Sequence, residues 1–232
     1  MKLLTQIELL RVWEHGLGLT PPQRVVSLLS AAGETEPGRL PIGARDALLI
    51  RIRENLFGAQ LDSTVACPVC AEEQEFQLST SGILVPRSAV ETKLSASFEG
   101  ADYEFRLPDS NDLVSIQGVA TLDEAKRALA LRCLDNDRVA MLPHGAINAI
   151  SDAMEKADPQ ADTEISLECF RCSHQWAVAF DIASFLLSEI QEWALRTMHQ
   201  VHQLASAYGW SEAEVLEVGP WRRAHYLELI TA

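Results

Sequence analysis

Hydrophobic positions along this chain switch between a helical and a strand period, and the switches divide it into elements. Leu3, Ile7, Leu10 and Trp13 recur at helical spacing, and the prolines of "TPPQRVVSLLSAAG" open a second, short helix that Gly33 closes. After the loop "ETEPGRLP", residues 43–57 predict a third helix. There Leu48, Leu49, Ile52 and Leu56 share one face, Arg45, Arg51, Arg53 and Glu54 lie off it, and Gly58 suits the C-terminal cap. The period then changes. Phe76 and Leu78 alternate with Glu75 and Gln77, so a strand follows Cys67 and Cys70, and residues 79–93 read as a surface connection. Leu94, Ala96 and Phe98, then "EGAD", then Tyr103, Phe105 and Leu107 predict a β-hairpin that Pro108 ends.

Thr121 and Glu124 form a capping box for "TLDEAKRALALRCL", and Ile147, Ile150 and Met154 mark another amphipathic helix before the polar linker "KADPQADTE". A further hairpin is expected from Ile165 and Leu167 on one side of Cys169 and Cys172, and Trp176, Val178 and Phe180 on the other. Asp181 caps a long helix to about Ala207 with the stripe Ile182, Phe185, Leu186, Ile190, Trp193, Val201 and Leu204. Gly209 breaks it, Ser211 and Glu214 cap a short helix, and Gly219-Pro220 precedes a last one, "WRRAHYLELI".

With 232 residues and 47% apolar composition, the chain can bury a sizeable core. Its formal net charge of -14 argues against a phosphate backbone as the main partner, because that affinity comes from clustered Lys and Arg. No run approaches the roughly 18 consecutive apolar residues of a membrane span, and Glu8, Arg11 and Glu14 in the first stretch do not suit a signal peptide. The expected location is the cytoplasm, where thiols stay reduced and cysteine pairs mark metal or redox chemistry.

Five cysteines include two C-x-x-C pairs, Cys67/Cys70 in "CPVC" and Cys169/Cys172 in "CFRC". Four thiolates complete a tetrahedral zinc site, and each pair stands at a predicted strand, as in two hairpins that face one ion. A structural Zn2+ is therefore expected, with no open position for catalysis. A redox C-x-x-C, which ordinarily opens a helix, and four buried thiols without metal are the alternatives. His174 could replace a cysteine ligand. His199 and His202 are three apart on the long helix without a third ligand, and Cys133 reads as a buried apolar thiol. Asp109/Asp112 and Glu212/Glu214 read as caps and solvated faces. No catalytic or phosphate-binding motif is present, so no enzyme is expected.

The C-terminal helix, turn, short helix, turn and helix resemble a DNA-binding helix-turn-helix, yet residues 181–232 carry seven acidic side chains against three arginines. "FDIASFLLSEIQEWA", "VHQLASAYGWSEAEVLEV" and "RRAHYLELI" are similar to the T-even-phage type baseplate hub assembly chaperone family, including relatives associated with contractile injection systems. "LPIGARDALLIRIRENLFG", "CPVCAEEQEF" and "YEFRLPDSNDLVSIQ" look like its longer, zinc-knuckle-bearing members. The resemblance covers most of the chain, most specifically residues 180–230. It implies a non-enzymatic assembly chaperone or minor component of a contractile particle's baseplate or tail hub, with hub, spike or other baseplate proteins as partners. Such a protein acts in the bacterial host cytoplasm and then leaves or stays in the particle. Tyr208, Trp210, Arg222 and Arg223 match the family's densest motif. They are candidates for partner contact, or else the two rings pack the turn while the arginines pair with Glu212 or Glu214. A zinc-ribbon nucleic-acid-binding regulator is the alternative function, and a metal-dependent or thiol enzyme a third.

The expected fold is α+β: a mainly helical body with a two-knuckle zinc ribbon, a small β-hairpin and a long C-terminal helix followed by short helices. Its segments are residues 1–60 (helical), 61–80 (first knuckle), 81–160 (hairpin and helices inserted between the knuckles), 161–181 (second knuckle) and 182–232 (long helix and extension).

Overall fold

Thr5 and Glu8 close a reciprocal cap, each side chain taking up a backbone N–H of the other's turn, and so start the first helix in the computed structural model. The structure describes residues 2–86, 94–135 and 141–231. In chain order the elements are α1 (Gln6–Gly16), α2 (Pro21–Ala31), α3 (Ile42–Phe57), β1 (Gln60–Ala66), β2 (Glu73–Ser79), α4 (Thr80–Ile83), β3 (Leu94–Phe98) and β4 (Ala101–Phe105). They continue with α5 (Ser110–Ser115), α6 (Leu122–Cys133), α7 (His144–Ala157), β5 (Glu164–Glu168), β6 (Gln175–Ala179), α8 (Ile182–Tyr208), α9 (Glu212–Glu217) and α10 (Pro220–Thr231). Among the described residues the six strands form three separate two-stranded antiparallel hairpins, each of sequence neighbours, and Phe105 of β4 adds an isolated bridge to Leu134; with mostly helical elements around them this is an α+β arrangement.

The main core gathers α1, α2, α3 and the first half of α8. Val25, Leu28, Leu29, Leu49, Ile50, Leu61 and Leu186 are at most 1% exposed within it. The expected stripe of α1 is turned: Leu9 is the buried residue, Val12 and Trp13 pack beside it, and Leu3 is 67% exposed. The longer α8 follows its stripe more closely, burying Ile182, Leu186, Ile190 and Leu204, with Ala194 and Thr197 completing the row. It ends as expected at Gly209, whose φ of 68° is the left-handed conformation that glycine adopts without a Cβ clash.

A second core lies between the knuckles in sequence. Phe105 of β4 packs with Ala96, Ala130, Leu134, Leu142, Ala146, Ile147 and Ile150 of the neighbouring hairpin and helices. The β3–β4 hairpin turns through Glu99 and Gly100, both at positive φ, which suits the right-handed twist of its strands. α4 and α5 were not expected. Asp109 caps α5 as predicted, but Asp112 is fully buried rather than solvated. Its carboxylate accepts from Arg106 at 2.6 and 3.0 Å and from Arg132 at 3.1 Å. Burial alone would raise its pKa, but Arg106, the Asp109 N–H and Arg132 hold it below the usual carboxylate range. Cys133 is buried as expected, with its sulfur also 3.9 Å from Asp112 and from Arg106 of this ion cluster, and burial with the Asp112 charge pushes its thiol up to about 12. The expected surface connection at residues 79–93 contains α4 in its described part, and residues 87–93 lie outside the described residues.

Candidate metal centre

The two C-x-x-C pairs sit at the tips of β1–β2 and β5–β6 and are built alike. In the first, the Ala71 N–H donates to the Cys67 carbonyl at 2.9 Å and the Cys67 N–H to the Glu72 carbonyl at 2.9 Å. In the second, Ser173 and Cys169 repeat this with the Cys169 and His174 carbonyls at 2.8 and 2.9 Å. Ala71 and Ser173, four residues after the first cysteine, both have a φ of 57°, the left-handed turn that lets the chain double back around its two sulfurs. Neither is glycine, so sequence carried no signal of this shared turn.

The hairpins meet tip to tip. Cys67 Sγ lies 3.7 Å from Cys172 Sγ, Cys70 Sγ lies 3.6 Å from Cys169 Sγ, and all four sulfurs fall within 4.8 Å of one another. A tetrahedral ion with metal–sulfur bonds of about 2.3 Å requires sulfurs about 3.8 Å apart, so the donor set fits a four-coordinate metal with little adjustment. Burial opposes ionisation of Cys67, but backbone N–H groups of Cys70 and Val69 outweigh it and bring the thiol down to about 7. Cys172 gains from the His174 backbone, yet burial and the neighbouring sulfurs push it up to about 12. Four thiols this close cannot all ionise without a cation between them. Cys67 and Cys169 are buried while Cys172 is exposed, which leaves an approach to the cluster.

Among the described residues this is the only group of metal-ligating side chains. His174 does not join it; its ring stacks on Trp176 with centroids 5.8 Å apart. His199 and His202 are exposed on α8 and belong to no such group.

Four positioning residues were not singled out from sequence. Arg53, expected off the apolar face of α3, is 3% exposed. It grips Glu189 of α8 with two bonds of 2.9 and 2.7 Å and donates to the carbonyls of Gly58 and Gln60 at 2.6 and 2.5 Å. One guanidinium thus ties the root of the first hairpin to the helix that leaves the second. Arg45 is likewise buried, paired with Asp46 at 2.7 Å. The signal available was the breadth of α3's apolar surface: Leu48, Leu49, Ile50 and Ile52 span more than half its circumference, so Arg45 and Arg53, which fall within that arc, had little solvent left to face, while Arg51 lies outside it and is exposed.

The expected polar linker is also packed. Asp158 accepts the Gly43 N–H at 2.8 Å at the start of α3, and a Cβ on Gly43 would stand 1.9 Å from that carboxylate. Gln160 is buried, accepting from the Val85 N–H at 2.8 Å and donating to Thr163 Oγ1 at 3.0 Å just before β5.

At the other end, Tyr208 and Trp210 stack at 4.9 Å, and Tyr226 meets Trp210 edge-on at 5.1 Å, closing the turn after α8. The expected pairing of the arginines is corrected. Arg222 is exposed, and Arg223 is 3% exposed with Nε and Nη1 lacking any partner; neither forms an ion pair with Glu212 or Glu214 among the described residues. Ser211 already holds Glu214 in the cap of α9, which leaves that carboxylate unavailable. No helix among the described residues is long and apolar enough to cross a membrane.

No curated protein and no solved structure matches the chain. The family model of the T4 bacteriophage base plate protein matches residues 23–137, a span that holds α3 with Arg53, the first knuckle and the β3–β4 hairpin with its helices. The second knuckle and residues 180–230, where the resemblance was most specific, lie downstream of that span. On the residues from α2 to the end of α6, the chain belongs to the T4-type phage baseplate protein family.

Proposed function

We propose that this chain is a non-enzymatic assembly factor, or minor structural component, of the baseplate or tail hub of a contractile phage tail or contractile injection system. The family match over residues 23–137 carries this reading. The chain acts through contacts with hub, spike or other baseplate proteins, in the host cytoplasm while particles are built. Tagged protein purified from cells making particles recovers at least one hub, spike or wedge protein; recovery of none refutes the reading. Probing finished particles for the chain distinguishes a chaperone that leaves from a component that stays.

Within this role Cys67, Cys70, Cys169 and Cys172 hold one structural zinc ion. A tetrahedral set of four thiolates suits zinc or iron, and redox-inert zinc supplies a fixed cross-link with no position for substrate. Isolated two-stranded hairpins are marginal in water, so the metal's task is to hold β1–β2 and β5–β6 together across the 98 residues between Cys70 and Cys169. The acidic hairpins make a nucleic-acid regulator a poorer fit, since six carboxylates between residues 60 and 79 and between 164 and 179 face one arginine.

A further inference from the structure

Metal binding accounts for the sulfurs of the knuckles but not for what surrounds them. Val69 and Phe170 are 65% and 71% exposed, and Pro68 is exposed beside Val69. Val69 adjoins Cys70 and Phe170 adjoins Cys169, and those two sulfurs are 3.6 Å apart. The two side chains therefore flank one edge of the cluster, although their cysteines are 99 residues apart in sequence. The backbone bonds of each knuckle close beneath them and need neither side chain.

Charge on the two hairpins that carry this apolar tip is predominantly negative. Asp62, Glu73, Glu75, Glu164 and Glu168 are exposed along the two hairpins. Arg171, the only Lys or Arg in either hairpin, is tied to Glu72 at 2.6 Å. Four thiolates around a divalent ion would add two more negative charges. Within a screening length of about 8–10 Å such a rim repels nucleic acid, anionic lipid and a second copy of the same tip, while it attracts lysine and arginine. An exposed apolar centre inside a charged rim is the anatomy of a protein-binding patch.

We infer that Pro68, Val69 and Phe170 form a docking tip for another protein, one that presents an apolar socket bordered by Lys and Arg side chains. That the socket belongs to a particle protein rests on the baseplate reading above; its chemistry does not.

The test uses the full chain in particle-producing cells, with a photoreactive phenylalanine analogue at position 170. The expected result is a cross-link to one partner, mapped to an apolar peptide flanked by Lys or Arg. Val69→Asp combined with Phe170→Asp weakens binding of that partner, once purified, about a hundredfold, with metal content and circular dichroism unchanged. If the double variant loses metal, Phe170→Ser alone carries the test, with about a tenfold loss expected. Glu73→Lys with Glu75→Lys leaves the tip intact, weakens binding about tenfold at low salt and flattens its salt dependence. Absence of a cross-link from position 170, a cross-link to an acidic surface, or unchanged affinity of the tip variants overturns the inference. Recovery of particle proteins by wild type and tip variants alike overturns the docking tip and leaves the baseplate reading standing. A basic socket on a protein foreign to the particle does the reverse.

Discussion

Arg53 is the most consequential single side chain outside the cysteines, and its removal tests how the two hairpins are brought together. Its side chain is 4% exposed and that of Glu189 25%. Arg53→Ala strips a two-pronged ion pair and leaves a mostly buried carboxylate and two carbonyls without donors. Breaking a buried pair by deleting one partner costs about 3–5 kcal/mol, and the partial exposure of Glu189 places the expected cost near the lower end, about 3 kcal/mol. Arg53→Lys keeps the charge, but one ammonium cannot span Glu189, Gly58 and Gln60, so about 2 kcal/mol is expected. Arg53→Met with Glu189→Leu removes both charges and should cost less than Arg53→Ala, because no carboxylate is stranded. Urea unfolding followed by circular dichroism measures all three, and hydrogen exchange should show the loss first in β1. A cost for Arg53→Ala below about 1 kcal/mol, or a double variant no better than the single, would refute the reasoning.

The remaining predictions concern the metal, one close contact and two buried charges. About one zinc per chain is expected by elemental analysis, with Cys169→Ser losing metal and soluble yield together; folded protein purified without chelators and lacking metal, or carrying iron, would defeat the assignment. Gly43→Ala drives a methyl group into Asp158 and should destabilise by about 1–3 kcal/mol in thermal melts, whereas Gly58→Ala meets no atom within 4 Å and reports only the strain of a φ of 92°. Burial, against the pull of Arg45, raises Asp46 to about 6 from an ordinary value of 3.8. The folded state then holds a proton that the unfolded state has lost, so this residue's contribution falls as pH rises from about 4 to 6. Relative to Asp46→Asn, wild type should lose about 3 kcal/mol across that window, at about 1.4 kcal/mol per pH unit, and parallel stability curves would contradict this. Arg223→Met replaces a buried, unpartnered guanidinium with an apolar chain of similar length and should raise the unfolding free energy by about 1–3 kcal/mol in isolated protein, seen as a higher denaturation midpoint. A lowered midpoint would mean that Arg223 is satisfied in solution.

Elements whose cause is local were legible in the sequence. The capping pairs Thr121 to Glu124 and Ser211 to Glu214, the Asp181 cap, Gly209 and the alternation around the β3–β4 turn act within a few residues, and each is where the pattern placed it. Both C-x-x-C pairs declared a ligand set because thiolate chemistry needs that spacing. Legibility failed where environment overrides pattern. The stripe of α1 depends on which side α2 and α8 approach from, and the burial of Arg45, Arg53 and Asp112 depends on acceptors far away in sequence or on packed neighbours. Asp158 and Gln160 looked like linker residues because their partners, Gly43 and Val85, are 115 and 75 residues away.

The sequence by itself determined the helices apart from the short α4 and α5, the hairpins, the sign of the charge and the four sulfurs, since each follows from neighbours along the chain. Only the tertiary structure decided that the two knuckles meet with sulfurs 3.6–3.7 Å apart, that Arg53 sets the root of one hairpin against the helix leaving the other, and that Val69 and Phe170 flank one cluster. The physical reason is range. Capping, turns and periodicity act over one or two turns of chain, whereas closing a hundred-residue loop depends on how every intervening element packs.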